Sequence, residues 1–334
     1  SGGGERYVND LSKPVLIQLV DATAKSPWLK EFKNILVIGV NADKKEFLAT
    51  IAKIKEAKLS ICFGCDDWGK KSHNPSILLS HGITWDTLSQ NVDLQKLQQY
   101  LTFANCLVSV DTNTLSWFRS TFSVLVQNLN LKMVYVPNYV DLSLFNNKQQ
   151  TKEYGSINII YPRRCCEERG FYVMAEIIPK ILNKYSNVTF NLVGYPHTKD
   201  IEKIINDLIA QYPNNVKHQV ADAGKMAELY QQVDITIIPT LYCEGTSLSC
   251  IEAMACGNTI ITTDIGGLPN LIINNYNGIL AEPTLESINE SLEKVITDSK
   301  FRNSLSQKAL DVANAFSKNE WETKWKKILG KYLN

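Results

Sequence analysis

The sequence predicts an α/β fold built from two doubly wound, Rossmann-like domains. The chain has 334 residues, more than one hydrophobic core usually serves. Short β-branched runs alternate with amphipathic segments of helical length in both halves, which predicts parallel sheets covered on both faces by helices. The polar, aperiodic segment 146–156 separates the halves and is predicted to be an interdomain linker.

The strand predictions follow the apolar runs in chain order. In the first half they are 34–40, 58–63, 76–80, 106–110 and 132–136. In the second half they are 157–162, 188–193, 216–220, 234–239, 258–263 and 278–280. Helical patterns occupy 171–185, 201–211, 224–232 and 284–298. Ligands of such sheets bind beyond the carboxyl ends of the strands, so two facing halves predict a cleft between them.

Both ends of the chain carry a helical pattern. Gly2, Gly3 and Gly4 lead directly into one from about Glu5, although a doubly wound domain normally opens with a strand that feeds its glycine loop. We therefore expect this first strand to be missing or replaced by another element. The tail 316–334 is predicted to be an amphipathic helix capped by Ser317. Its apolar stripe consists of Trp321, Trp325, Ile328, Leu329 and Tyr332.

The composition is that of an ordinary globular protein, with 44% hydrophobic residues, 21% charged residues and a formal net charge of +1. This balance indicates neither nucleic acid nor a strongly acidic partner. No apolar run approaches the ~20 residues needed to cross a bilayer, and the opening residues lack the apolar core of a signal peptide. The eight cysteines are typical of free thiols in a reducing compartment, and the lone Cys62-x-x-Cys65 pair is interpreted as structural. We expect a cytoplasmic protein.

The segment EGTSLSCIEAMACG, residues 244–257, places Glu244 and Glu252 on either side of small polar residues. A helix is predicted from about Thr246 to Gly257, and its first amides would attract a phosphate. Carboxylates accept hydrogen bonds, so we expect the two glutamates to bind the sugar and ribose hydroxyls of a sugar nucleotide. The alternative is chance spacing, with one glutamate in a loop and the other on a solvated helix face.

The segment RRCCEERG, residues 163–170, crowds Arg163, Arg164 and Arg169 into the loop after a predicted strand. Arginine is suited to bidentate contact with phosphate, and this loop lies at the ligand-binding edge of the sheet. The alternative is a surface ion-pair cluster with Glu167 and Glu168, which would contribute little to stability.

Together these segments resemble the retaining glycosyltransferases of the GT-B fold, family 4, the large group 1 set. The resemblance also rests on LVGYP (192–196) and IITTDIGGLPNLIINNYNGIL (260–280). Arg164, Arg169 and Gly170 match the family's Arg and, five positions later, its basic residue followed by Gly. Glu244 and Glu252 match its paired glutamates. The first half is similar through SGGGERYVNDLSK, SILLSHGITWD and VYVPNYVDLSLF.

The resemblance implies a domain order and a role for each matching residue. Residues 1–148 form the acceptor-side domain, 149–316 the sugar-nucleotide domain, and 317–334 a helix that packs back on the first domain. Arg164 and Arg169 hold the diphosphate and stabilise it as it leaves, Glu244 contacts the transferred sugar, and His81 faces it across the cleft. The implied donor-binding residues are Glu252, Gly245, Thr246, Ser247, Leu248, Gly194, Gly3 and Gly4. No metal or other cofactor is expected, because the arginines supply the countercharge.

The resulting hypothesis is a retaining glycosyltransferase that moves a sugar from a nucleoside-diphosphate sugar to a hydroxyl group in polysaccharide or glycoconjugate synthesis. The expected acceptor is a saccharide or a lipid-linked molecule. The lysines of the tail helix offer a peripheral contact with the anionic inner face of a membrane. Two alternatives stay open: a catalytically silent glycosyltransferase-like binding module, and a GT-B sugar-nucleotide epimerase.

Overall fold

The computed structural model describes residues 15–20, 28–32, 35–40, 60–63, 76–83, 94–102, 104–147 and 155–333, and most side chains from residue 77 onward. Three predictions lie outside the described residues: the glycine loop with Gly3 and Gly4, the side chains of Cys62 and Cys65, and most of the linker. The predicted boundary between residues 148 and 149 lies outside them as well and stays a prediction.

The described residues of the first half form two sheets. The strands β1 (Val15–Val20), β2 (Trp28–Phe32) and β3 (Ile35–Val40) form one sheet in the order β1-β3-β2. The strands β4 (Ser60–Phe63), β5 (Ser76–Ser80), β6 (Cys106–Ser109) and β7 (Lys132–Tyr135) form a parallel sheet in chain order. The described helices of this half are α1 (Leu94–Thr102), α2 (Thr112–Thr121) and α3 (Ser123–Asn128).

Two strands of the first half were not predicted. The strand β1 pairs in parallel with β3, and β2 pairs antiparallel with the same strand. Only two residues, Lys33 and Asn34, separate β2 from β3, and they lack the Asn-Gly or Asp-Gly sequence that marks such a hairpin. The apolar run of β1 is too short for periodicity alone to distinguish strand from helix.

The second half is a six-stranded parallel sheet in the order β10-β9-β8-β11-β12-β13. Its strands are β8 (Ile157–Tyr161), β9 (Val188–Val193), β10 (Val216–Gln219), β11 (Ile235–Ile238), β12 (Thr259–Thr263) and β13 (Ile279–Ala281). Its helices are α4 (Phe171–Leu182), α5 (Lys199–Gln211), α6 (Met226–Gln231), α7 (Leu248–Ala255), α8 (Leu285–Thr297) and α9 (Ser299–Ala313). The winding reverses between β8 and β11, and doubly wound sheets bind ligands at such a point.

The tail helix α10 (Lys318–Leu333) returns to the first half. Its Trp321, Trp325 and Ile328 are buried and pack in one cluster with β5 and β6 side chains such as Ile77 and Val108. The Ser317 hydroxyl accepts a hydrogen bond from the Glu320 amide at 3.4 Å, as the cap prediction requires. The predicted architecture of two doubly wound halves with a returning helix is therefore confirmed. Within the described ranges, no helix is long and apolar enough to cross a membrane.

Candidate active site

The loops that follow β8 and β11 meet at the carboxyl edge of the second-half sheet. The two strands are neighbours, with Ile159 opposite Ile235. The Tyr161 hydroxyl donates to the carbonyls of Arg164 and Arg169 at 3.2 and 3.1 Å and so shapes the arginine loop. The Leu241 amide donates to the Glu168 carbonyl at 3.0 Å and joins the two loops.

Glycines allow the arginine loop to pack closely against its surroundings. Gly170 has φ 76°, and a Cβ there would lie 2.0 Å from the Pro239 carbonyl oxygen. Only glycine combines this backbone conformation with this approach. A Cβ at Gly194 would lie 2.1 Å from the Arg163 carbonyl oxygen, so Gly194 supports the loop from behind. The donor-binding role implied for Gly194 stays a prediction.

Two arginines converge on the Glu244 carboxylate. Oε2 of Glu244 forms ion pairs with Nη2 of Arg163 and, at 2.9 Å, with Nη1 of Arg169. The Thr240 hydroxyl donates to the same oxygen at 3.2 Å. Arg169 also donates to the Cys243 carbonyl at 2.8 Å. The Glu244 side chain is only 10% exposed, so two positive charges face one negative charge in a largely dry setting.

Arg163 has a buried nitrogen, Nε, whose hydrogen-bond donor is unused in the described residues. Its Nη1 donates to the Ser247 hydroxyl at 3.3 Å, and its side chain is 10% exposed. Its Nε is buried, and no group among the described residues accepts a hydrogen bond from it. A buried charged donor without a partner is costly. The site therefore suits an additional anionic acceptor beside Glu244.

The structure turns Arg163 towards Glu244 and leaves Arg164 exposed. The sequence had singled out Arg164, whose spacing from Arg169 matches the family pattern. Arg163 and Arg164 are adjacent in the loop after β8, and of the two only Arg163 forms an ion pair with Glu244. Arg169 and Glu244 are thus brought together as expected, with Arg163 as the second arginine.

The helix α7 begins at Leu248, two residues later than predicted, with Ser247 at its N-cap. The first amides of a helix have no partner within it, and they lie here beside the Arg163 guanidinium. Glu252 is 6% exposed, which excludes the solvated-face alternative. Burial raises the pKa of Tyr230, and the nearby Glu252 carboxylate adds to this effect. The ribose-binding role implied for Glu252 stays a prediction.

His81 follows β5 in the first half and lies against the Glu244 loop. A Cβ at Gly245 would lie 2.6 Å from the His81 carbonyl oxygen, and a Cβ at Gly82 would lie 3.1 Å from the Gly245 Cα. Burial lowers the pKa of His81, which keeps the imidazole neutral at pH 7. A neutral imidazole has one donor and one acceptor nitrogen and can bind a sugar hydroxyl. The structure thus brings His81 and Gly245 to the same crevice.

Polar contacts that sequence reasoning missed join the two halves beside the site. The Thr246 hydroxyl donates to the Val110 carbonyl. Asn138 donates to Thr246 through its backbone amide (3.2 Å) and its side chain (3.0 Å). Thr112 and Asn270 exchange two hydrogen bonds, of 2.9 and 2.6 Å. Thr246 therefore faces the first half.

Asp111 is a further missed residue, at the start of α2 and fully buried. Its carboxylate accepts hydrogen bonds from the Thr114 amide (2.6 Å) and hydroxyl (2.9 Å). Burial raises its pKa, and these hydrogen bonds partly offset the effect. An Asp before a helix is readable from sequence as a cap, but its position beside Gly267 of the other half is not. In the described part of the chain, no three His, Cys, Asp or Glu side chains group as a metal site.

Thr246→Val and Asn138→Ala test the contact between the halves. Each change removes one partner of a buried hydrogen bond, and we expect a loss of about 1–3 kcal/mol in the free energy of unfolding. Asn138→Ala removes the side-chain bond to the Thr246 carbonyl, and Thr246→Val removes the bonds of its hydroxyl. The two residues are in direct contact, so we expect the losses to be coupled and not additive. Thr323→Val removes a hydroxyl from the exposed face of α10 and should change stability by less than about 0.5 kcal/mol. Strict additivity in thermal unfolding would contradict the coupling.

Two doubly wound halves, a charged crevice at the switch point of the second and a helix that returns to the first define a protein of the GT-B fold. The chain belongs to the glycosyl transferases group 1 family, whose profile matches residues 145–312, half of the chain.

Solved structures agree with the fold, and a curated relative agrees with the family. A sucrose-phosphate synthase from Thermosynechococcus elongatus superposes with a TM-score of 0.81 at 17% identity, covering 99% of this chain and 94% of its own. HepE of Anabaena, in complex with UDP, superposes with a TM-score of 0.75 at 16% identity, covering 99% and 96%. An uncharacterized glycosyltransferase of Methanocaldococcus jannaschii is 27% identical over 52% of this chain. The chain spans only 44% of that relative's length.

Proposed function

We propose that this protein transfers a sugar from a nucleoside-diphosphate sugar to a hydroxyl group in the crevice between its halves. The observation that carries the proposal is the convergence of Arg163 and Arg169 on Glu244, beside the first amides of α7. The buried Nε of Arg163, which lacks an acceptor among the described residues, supports an anionic ligand there.

The proposed chemistry is stabilisation of a departing diphosphate. Negative charge grows on the phosphate oxygen as the glycosyl bond breaks, and preorganised cations and amides bind it more strongly at that stage. The diphosphate competes with Glu244 for the two guanidinium groups. Once released, the Glu244 carboxylate accepts hydrogen bonds from the sugar hydroxyls, and neutral His81 binds the sugar from the opposite half.

We also propose retention of the anomeric configuration and a reaction without a metal. Glu244 is held between two arginines, a setting that suits a hydrogen-bond acceptor more than a nucleophile. The same arginines provide the countercharge that a metal would supply. The proposed acceptor is a saccharide or a lipid-linked molecule, and cytoplasmic localisation stays a prediction.

A thermal-shift panel with UDP, GDP, ADP and TDP tests donor binding. A nucleotide at 100 times its dissociation constant adds about 2.7 kcal/mol of apparent stability, so one nucleotide should raise the Tm. UDP is the first to test, because the HepE structure contains it. Arg163→Gln should abolish the shift. No response to any of the four nucleotides would contradict the proposal.

Turnover separates transfer from the two alternatives. Release of the nucleoside diphosphate that depends on added acceptor supports the transferase. Nucleotide binding without turnover for any acceptor class would favour the silent module. Interconversion of the donor sugar without an acceptor would identify an epimerase.

A further inference from the structure

A second pocket lies in the first half, between the sheet and the tail helix. Its volume is about 330 Å³, within the range of small-molecule sites. We name it the lysine pocket; it is lined by Cys106, Lys132, Val134, Tyr135, Lys324, Lys327, Ile328 and Lys331. Cys106 and Lys132 are the paired first residues of β6 and β7. The pocket therefore opens near the amino ends of these strands, whereas the active-site crevice lies at carboxyl ends.

Helix and strand geometry bring the lysines together. Lys324, Lys327, Ile328 and Lys331 follow the spacing i, i+3, i+4, i+7 and form one stripe of α10. Ile328 is 6% exposed, and its packing against the sheet holds this face of α10 in place. Lys132 and Val134 lie on one face of β7, because side chains alternate along a strand. The result is an apolar floor with an ammonium rim.

The ammonium groups of the four lysines bring positive charge close together, and no described carboxylate forms an ion pair with any of them. The ion pair of α10 in the described residues joins Lys326 to Glu322 instead, at 3.5 Å. Lys324 lies over the Tyr135 ring, with Nζ 5.6 Å from its centroid. Contact with Lys132 and repulsion from Lys132 and Lys327 lower the pKa of Lys331. An anion in the pocket would relieve this repulsion.

Helix stabilisation accounts for only part of the pattern. Lysines in the last turn of a helix interact favourably with its negative end. That effect explains Lys331 but not Lys132, which belongs to β7, or Lys324, which lies near the middle of α10. Strand and helix together surround one apolar floor, and this arrangement indicates a ligand with both a charged and an apolar part.

We propose that the lysine pocket binds a phosphate group carried on an apolar chain. The four ammonium groups contact the phosphate oxygens, and the floor of Val134 and Ile328 contacts the first carbons of the chain. Such a group is present in an anionic phospholipid of a membrane surface and in a single amphiphile dissolved in water. The site does not use the donor-binding residues, so it goes beyond the proposed transfer reaction.

Titration with decyl phosphate below its micelle concentration tests the pocket by calorimetry. The wild type should bind it, and Lys324→Gln/Lys331→Gln should bind at least about tenfold more weakly. The matched control Lys318→Gln/Lys326→Gln removes the same charge from the same helix and should stay within about twofold of the wild type. Inorganic phosphate should bind more weakly than decyl phosphate, because it cannot use the apolar floor.

Three results would overturn the proposal: no binding of decyl phosphate, equal losses in the two double variants, or equal affinity for inorganic phosphate. Vesicles of phosphatidylglycerol, compared with phosphatidylcholine, identify the source of the phosphate. Pocket-dependent binding to the anionic vesicles indicates a membrane lipid, and binding of decyl phosphate alone indicates a single amphiphile. The nucleotide-induced Tm shift should be unchanged in both double variants. The Tm shift therefore tests the donor proposal, and decyl phosphate binding tests the pocket proposal independently.

Discussion

Replacement of Arg163 by Gln is expected to lower kcat by about 10²–10³-fold, the usual effect of removing one donor to a developing negative charge. The same change at Arg164 is expected to cost less than about fivefold, because an exposed charge contributes at most about 1 kcal/mol. Arg163 is 10% exposed and paired with Glu244, whereas Arg164 is exposed. Initial rates of acceptor-dependent nucleotide release at saturating donor measure both effects.

Arg164→Gln is the matched control, since it removes the same charge from the adjacent residue. The Tm of both variants must be recorded, because Arg163→Gln also takes one partner from the buried Glu244 carboxylate. Glu244 keeps its ion pair with Arg169 in this variant, so the change in Tm reports the loss of one of its two arginine partners. A larger loss at Arg164 than at Arg163 would show that the arginine at the family position faces the diphosphate during the reaction.

Gly170→Ala is expected to lower the free energy of unfolding by about 3–5 kcal/mol, at the upper end of single substitutions. Two effects combine: Ala is strained at φ 76°, and its Cβ would lie 2.0 Å from the Pro239 carbonyl oxygen. The Pro239 backbone lies in the loop that carries Glu244 and cannot move independently of the site. Urea unfolding measures the loss.

Gly155→Ala is a control that has the backbone strain of a positive φ without a steric clash at the new Cβ. Gly155 has φ 87°, and a Cβ there would meet nothing within 4 Å. Only the conformational cost applies, and we expect a loss of about 1 kcal/mol. Similar losses of unfolding free energy in the two variants would mean that the loop after β11 moves to make room for the new methyl group at residue 170.

Secondary structure was predicted best where the local residue pattern is compatible with only one type of element. Ile235–Ile238 was predicted to within one residue at each end, because a β-branched run between polar residues is an unambiguous buried strand. The convergence of Arg169 and Glu244 was predicted from two loops at the ligand edge of the sheet, but their ion pair was not. The choice between Arg163 and Arg164 could not be made, since it depends on the direction of a single residue after β8.

Contacts between segments that are distant in the chain could not be predicted from the sequence. The partners Asn138 and Thr246 are 108 residues apart, and Thr112 and Asn270 are 158 residues apart. No local sequence pattern around these four residues indicates which residue each of them contacts. The lysine pocket has the same origin. The apolar stripe of α10 was predicted, but the stripe of Lys324, Lys327 and Lys331 was not, and Lys132 joins it only through packing of the helix on β7.

The position of α10 has a consequence for biosynthesis. Trp321, Trp325 and Ile328 complete the core of the half that the ribosome makes first. That half cannot bury Ile77 and Val108 fully until α10 has left the exit tunnel. The second half contains its own sheet and core, so we expect it to complete its core before the first half does, against the usual order from the amino end.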